Sequence, residues 1–536
     1  MTFSSCLKSM RLRTLPLSLS GIVMGVFLAA ADYRIDALTV VFLALTTVCL
    51  QVLSNLSNEL GDTFHGTDTE DRQGIRYSLQ DGEMTVPEMK RLIKIVAVLC
   101  CVFGLLMIKF SFGKIFDWHP MTFVVLGLSA WAQQTNVLDQ LKSDPRKAYG
   151  TDYPYSFTTA PLTKAPRGYK PFYISHYGRH GSRYYWNAFL YREMDSLLTN
   201  AHRRHQLTAE GEKFYTKFEA AKEELSTGVS ELTDLGWEQH QRIARTMYQN
   251  FPEVFKNGGN VLAIASLSGR CVLSMSAFCQ ELVQCNPKIE IREQSSRFTL
   301  DGVVPDDRQN PARRDFPSDK PRYEKNRDQF KYTDNLDETI VKRAFTSTEG
   351  LPGSVHHIGE NFINLYTSLP NIGHEGMMGN LVTDKDIADR WENSNLGSYS
   401  WLFPLQYRMI PILQDIIKKA DAVLDGSSDH IADLRFGHDD RLGPLHILMG
   451  INGADTDPED PYEVKNIYQN WQTCKASNIQ LIFYRGKKAT DEILVKCLLN
   501  GTEASLPLPS DAYPYYKWSD FRQFYTDRCK AHTPSE

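Results

Sequence analysis

Apolar positions in the first quarter of the chain run in blocks rather than alternating. Residues 15–31, 37–53 and 92–112 each approach the roughly 20 residues that a helix needs to cross a hydrocarbon core. Three membrane-spanning helices are expected, and Lys94 and Lys109 lie near enough to the ends of the third for their ammonium groups to reach the headgroups. A fourth run, 121–132, has the length of a secretory signal's apolar region, and Ala130-Trp131-Ala132 before Gln133 has the small-x-small form that a signal peptidase accepts. From Gln133 onward, short apolar runs alternate with amphipathic segments, the pattern of an α/β domain. Residues 173–176, 261–265 and 431–436 read as strands, and 272–283 and 442–449 as helices. Each strand runs into a polar cluster. Loops at the carboxyl ends of strands form the ligand crevice of open α/β sheets, so the three clusters are expected to meet.

A length of 536 residues implies two or three units. Lys plus Arg at 59 against Asp plus Glu at 64 leaves a net charge of −5, without the basic excess of a nucleic-acid binder. Hydrophobic content of 42% excludes a disordered chain and one that lies wholly in the membrane. The ten cysteines contain no C-x-x-C pair, which argues against structural zinc. Cys271, Cys279, Cys285, Cys474, Cys497 and Cys529 are either disulfide partners in an oxidising compartment or buried thiols. Lys8, Arg11 and Arg13 precede the first span, so the positive-inside bias places the N-terminus in the cytoplasm and, after three crossings, residue 113 outside. The expected organisation is a membrane fragment over 1–119, a signal-like segment over 120–132 and an exported soluble domain over 133–536, with its charge-rich part, about 285–430, forming a helical cap. A signal-like segment inside a chain reads as the junction of two once-separate reading frames, with Ala132–Gln133 a point of cleavage.

The chemistry lies in the three clusters. Arg179-His180-Gly181-Ser182-Arg183 brackets an imidazole with two guanidinium groups, whose planar forks match phosphate oxygens while the neutral ring can attack phosphorus. Ser268-Gly269-Arg270-Cys271 opens the helix expected over 272–283, where free N–H groups favour an anion. Gly437-His438-Asp439-Asp440 offers a phosphate donor and a carboxyl proton source. In this order, with Glu231-Leu232-Thr233, Gly236, Gln239 and the Leu434-to-His438 stretch, the clusters resemble the histidine acid phosphatase clan, most closely its multiple inositol polyphosphate phosphatases and phytases.

That resemblance implies an α/β phosphatase fold with an α-rich cap. His180 would be the nucleophile, and Arg179, Arg183, Arg270 and His438 would bind phosphate. The proton donor would be Asp439, by likeness to the His-Asp branch, or Asp440, which stands where the inositol phosphatase branch has a glutamate. Hydrolysis would need no metal or other cofactor and would have a mildly acidic optimum. The implied substrate is an inositol polyphosphate such as phytate, the alternative being a broad-specificity acid phosphatase. Lys164, Arg167 and Lys170, just before the first strand, read equally as basic charge for its pocket or as a solvated loop.

Between the apolar runs, a polar stretch over 55–62 with Asp68 and Asp71 beyond it reads as a loop. Arg13-Thr14-Leu15-Pro16 followed by Asn58-x-x-x-Asp62 resembles the start of the UbiA family of membrane prenyltransferases, in its 1,4-dihydroxy-2-naphthoate branch. By that likeness Asn58 and Asp62, with Asp68 and Asp71, would face a magnesium-bound prenyl diphosphate. Such enzymes close the pocket with a second Asp-rich motif on later helices, which this chain lacks. The segment therefore reads as an inactive fragment or anchor, the alternative being a truncated prenyltransferase.

Overall fold

The computed structural model describes residues 3–10, 26–27, 36–65, 78, 81, 83–112, 137–157, 160–305, 316–331, 335–488 and 490–533. They fall in two compact units, Met1–Thr135 and Asn136–Glu536.

In the smaller unit, helices span Phe3–Met10, Ala37–His65 and Val86–Phe112. Two stretches, Ala37–Ser57 and Val86–Ser111, are long and apolar enough to cross a membrane. Asp36 caps the first by accepting from Leu38 N and Thr39 N. Phe42 stacks on Phe110 at 5.5 Å and Cys100 meets Thr46, so the two helices run antiparallel. Leu56, Met89, Leu92 and Val96 are buried between them, whereas Leu38, Val41, Leu45, Val98 and Val102 face outward, as lipid contact requires. The span expected over 15–31 lies outside the described residues except Val26 and Phe27. The stretch 55–62 is not a loop but the polar end of the first long helix, because a helix persists on its backbone bonds after its apolar face has ended. The side chains of Asn58 and Asp62, all of Asp68 and Asp71, and the segment 120–132 lie outside the described residues.

The larger unit is built on one mixed sheet. Its strands are β1 Lys170–Arg179, β2 Gly259–Ala265, β3 Ile289–Gln294, β4 His430–Gly437, β5 Asn478–Arg485, β6 Leu494–Leu499, β7 Thr502–Ala504 and β8 Tyr515–Lys517. The order is β3-β2-β4-β1-β5-β6-β7, with β8 on β6. Strands β1 to β4 are parallel, and β5 enters antiparallel to β1. The central strands are buried along nearly their whole length, because helices cover both faces.

The main helices are α1 Ala188–Arg203, α2 Ala209–Thr227, α3 Asp234–Asn250, α4 Gly269–Cys285, α5 Leu336–Ala344, α6 Val355–Ser368, α7 Asp384–Leu402, α8 Ile410–Leu424, α9 Asp439–Leu448 and α10 Trp518–His532. Period-two alternation sends Ile174 and Ile482 to one face, against Ile243 and Met247 of α3 and Phe278 of α4. Tyr173, Tyr177, Leu481 and Phe483 go to the other, against Ile412 and Leu413 of α8 and Phe521 of α10. All ten cysteines are free thiols, with Cys271, Cys279, Cys474, Cys497 and Cys529 buried.

The strands expected at 173–176, 261–265 and 431–436 are the cores of β1, β2 and β4. The stretch expected as a cap begins with β3, a sheet strand, and only then turns helical through α5 to α8.

Candidate active site

β1 and β4 are parallel neighbours with Arg179 opposite Gly437, so the residue after each strand emerges at the same edge. His180 N donates to Gly437 O at 3.0 Å, and the His180 and His438 rings stand 5.6 Å apart, edge to face. His180 Nδ1 lies 2.9 Å from Gly181 O. A carbonyl can only accept, so in the neutral ring the proton is on Nδ1 and Nε2 keeps its lone pair.

The loop after His180 is held by backbone packing against α3. A Cβ at Gly181 would stand 2.4 Å from Gly236 O, and one at Gly236 would stand 2.3 Å from Ser182 O; the two segments touch where only glycine fits. Thr233, the α3 N-cap, donates to Ser182 O at 3.0 Å, and Ser182 N donates to Gln239 Oε1 at 2.9 Å.

β2 ends two parallel strands away and turns into α4, whose first turn carries Arg270. Its Nη1 donates to Ser230 Oγ at 2.8 Å, and its Nη2 lies 3.4 Å from His438 Nδ1. Ser230 holds a left-handed backbone, φ 69°, a strained conformation for a residue with a Cβ. The other His438 nitrogen, Nε2, is 3.0 Å from Ser266 Oγ.

The antiparallel entry of β5 brings 474–477 alongside the end of β1. Arg179 N donates to Ser477 O at 2.8 Å and Ala476 N to His180 O at 2.9 Å. Arg179 Nη1 donates to Thr151 O at 2.6 Å and Thr473 O at 2.8 Å, which fixes the guanidinium plane, and Nη2 pairs with Asp439 Oδ2 at 3.0 Å. Arg183 Nη1 donates to Tyr184 O at 2.8 Å. The Nε atoms of Arg179, Arg183 and Arg270 are all buried without a hydrogen-bond partner among the described residues. Lys475, from the same segment, is 1% exposed and pairs with Asp152.

Burial, reinforced by the charges of Arg179 and Arg183, holds the His180 pKa well below the usual imidazole range. His438 is lowered to about 3 by burial and Arg270. Both rings are therefore neutral in mild acid. Burial alone would raise Asp439, but Arg179, then Lys475 and Arg183, hold it well below the carboxylate range. Asp440 goes the other way: burial raises it, the Asp439 charge adds to that, and Arg441, 2.8 Å from its Oδ2, offsets only part. Lys475 is pushed down to about 7 by burial and the two arginines, with Asp152 opposing.

The structure thus gathers His180, Arg179, Arg183, Arg270, His438 and Asp439 around one point, with Asp440 adjoining on α9. Sequence reasoning missed Asp152, Ser230, Ser266 and Lys475, which carry no motif of their own. Lys164, Arg167 and Lys170 do not join the site. They stand at or before the start of β1, and its ten residues put roughly 30 Å between its two ends. A group suited to a cation, Asp337, His356 and Glu360, lies on α5 and α6, but Arg390 pairs with both carboxylates and supplies the positive charge there.

No family model matches the chain. Among solved structures it is similar to the Bifidobacterium longum multiple inositol polyphosphate phosphatase in complex with inositol hexasulfate, at 17% identity and TM-score 0.57, over 71% of this chain and 97% of that one. The phytase from D. castellii aligns at 14% identity and TM-score 0.53, over 74% and 86%. Likeness at this identity defines the fold alone: the larger unit has the mixed α/β fold that these two proteins share. The N-terminal segment of the chain is similar to a second kind of protein, the 1,4-dihydroxy-2-naphthoate octaprenyltransferases. It is 37% identical to that of Escherichia coli over 121 residues, which is 23% of this chain and 39% of that one, and 34% identical to that of Haemophilus influenzae over 122 residues. The chain spans about two fifths of the length of these curated relatives.

Proposed function

We propose that the larger unit hydrolyses phosphate monoesters through a phosphohistidine formed at His180. The observation that carries this reading is the set of three guanidinium Nε donors, on Arg179, Arg183 and Arg270, buried around one imidazole and bonded to nothing among the described residues. A buried donor without an acceptor is costly, and three in one place are the reverse image of an anion with several oxygens. His180 Nε2 attacks phosphorus, the arginines and His438 take the charge on the equatorial oxygens, and an aspartic acid protonates the departing alkoxide. The same carboxylate then deprotonates water, which releases phosphate from the ring. The charge stabilisation comes from the chain's own cations, so activity should survive a chelator.

The acid in this reading is Asp440, since of the two carboxyls it is the one whose pKa burial raises. Asp439 is the second reading, supported by its ion pair with Arg179: a phosphate that takes Arg179 removes the charge that keeps Asp439 ionised. An inositol polyphosphate is the proposed substrate, on the likeness of fold, and the site faces the exported side of a membrane in which the smaller unit acts as anchor.

The test is His180→Ala. Turnover of phytate and of p-nitrophenyl phosphate should fall by about 10³-fold or more while phosphate affinity stays within about tenfold, and an alkaline quench of the unaltered chain should trap phosphate on His180. Unchanged turnover in the variant would overturn the assignment. Magnesium-dependent prenyl transfer to an aromatic acid would instead support activity in the smaller unit.

A further inference from the structure

Lys475, which is buried, and Asp152, which is half-buried, form an ion pair that the reaction above does not use. Lys475 lies one residue before Ala476, whose N–H bonds His180 O, and at 1% exposure it is as deeply enclosed as His180 itself. Asp152 follows Thr151, whose carbonyl holds Arg179 Nη1, and its own carbonyl accepts from Asn371 Nδ2 at 2.7 Å. Neither partner is a loose surface group. The charges around the pair come from three places: Arg179 from β1, Arg183 from the loop after it, and Asp439 from α9.

The Asp152 carboxylate feels Lys475 most among these charges, then Arg183, then Arg179. It is thus an anion next in sequence to the carbonyl that holds Arg179 Nη1 and under the influence of the Arg183 charge, and a carboxylate fills a guanidinium fork much as a phosphate does. We propose that Lys475 is a positioning residue that holds Asp152 and so keeps this carboxylate from occupying Arg183 and Arg179, leaving their forks to phosphate. The inference rests on the phosphate-binding reading of those arginines.

The hydrogen bonding and the charges support a guard rather than a direct ligand. The ammonium bonds Asp152, whereas the charges acting most on His180 are Arg179, Arg183, His438 and Arg270, with Lys475 not among them. Removing Lys475 alone leaves the half-buried Asp152 carboxylate without its cation, and it turns to the nearest guanidinium. Removing both partners restores neutrality and leaves the arginines open.

The experiment uses the full chain in detergent micelles, titrated with inorganic phosphate by calorimetry and assayed with p-nitrophenyl phosphate. Lys475→Met should weaken phosphate and raise KM by about tenfold with kcat little changed, as expected when a competing anion fills the forks. Asp152→Asn should bind at least as tightly as the unaltered chain, and the double variant should return to within about threefold of it. A double variant as weak as Lys475→Met would make Lys475 a direct phosphate ligand and overturn the proposal, as would lost affinity in Asp152→Asn or unaltered affinity in Lys475→Met. If Lys475→Met does not fold, Asp152→Asn and the double variant still decide. A chain that binds phosphate without hydrolysing phosphomonoesters refutes the hydrolase reading alone, and the titrations still judge the pair.

Discussion

Asp439 and Asp440 are adjacent in sequence and opposite in electrostatics, one held ionised by Arg179 and the other pushed toward its protonated form by burial. Their roles separate by leaving group. The Asn variant of the true donor should slow alkyl phosphates far more than activated aryl phosphates, by about 10²-fold or more, and with Asp440 as donor, activity falls as pH rises through its elevated pKa. His176 and His240 show a different consequence of burial. Both lie under the site among Phe278 and Phe436, and burial holds each at about 3. An unfolded chain protonates these rings near the usual 6.5, so their neutral form stabilises the fold fully above that pH and the contribution is lost as pH falls toward 3. At pH 5 the loss is about 2 kcal/mol per ring. His176→Leu should therefore lose less stability than the unaltered chain between neutral pH and pH 5, as read from denaturant midpoints at the two pH values. Equal losses would show that the ring is not kept neutral.

Among elements, the contact of the His180 loop with the start of α3 sets the precision of the site. Gly236→Ala places a methyl 2.3 Å from Ser182 O, and since both sides are backbone, one must move. The expected result is about 1–3 kcal/mol of lost stability and a fall in kcat out of proportion to it, measured by thermal unfolding beside steady-state rates. The strands β1, β2 and β4 were readable from sequence because each is a short apolar run ending in a polar cluster, and Gly236 and Gln239 stood out beside Glu231-Leu232-Thr233. What joins β1 from the other side was not readable. β5 is as apolar as its neighbours, nothing in its residues specifies antiparallel entry next to β1, and so Lys475 looked like any surface lysine. β3 was absorbed into the expected cap because Glu290, Arg292 and Glu293 give an edge strand the charge of a solvated helix. The polarity of residues 55–62 predicts a loop, although backbone hydrogen bonding carries the helix through them.

At the scale of the molecule, the two units answer to different solvents. The smaller exposes Leu45, Ile95, Val98 and Leu105 on helices of membrane-crossing length. The full chain should sediment with membranes and resist extraction by alkaline carbonate, whereas a chain beginning at Gln133 should not; recovery of both in the soluble fraction would contradict a membrane role for these helices. Fold class was legible because apolar blocks and alternating α/β patterning are separate signals. Lys164, Arg167 and Lys170 read equally as pocket charge or as a solvated loop, because closeness in sequence to His180 hides the length of β1.

Strand β1, which delivers His180, is translated first and sheltered last. Its two neighbours are β4, beginning at residue 430, and β5, beginning at 478. At ordinary ribosomal speeds some 10 to 50 seconds separate the appearance of β1 from that of its first partner. Throughout that interval a ten-residue strand has both hydrogen-bonding edges bare, so newly made chains should depend on chaperones until synthesis is nearly complete, and any that stop short of β5 should aggregate rather than fold into a smaller domain.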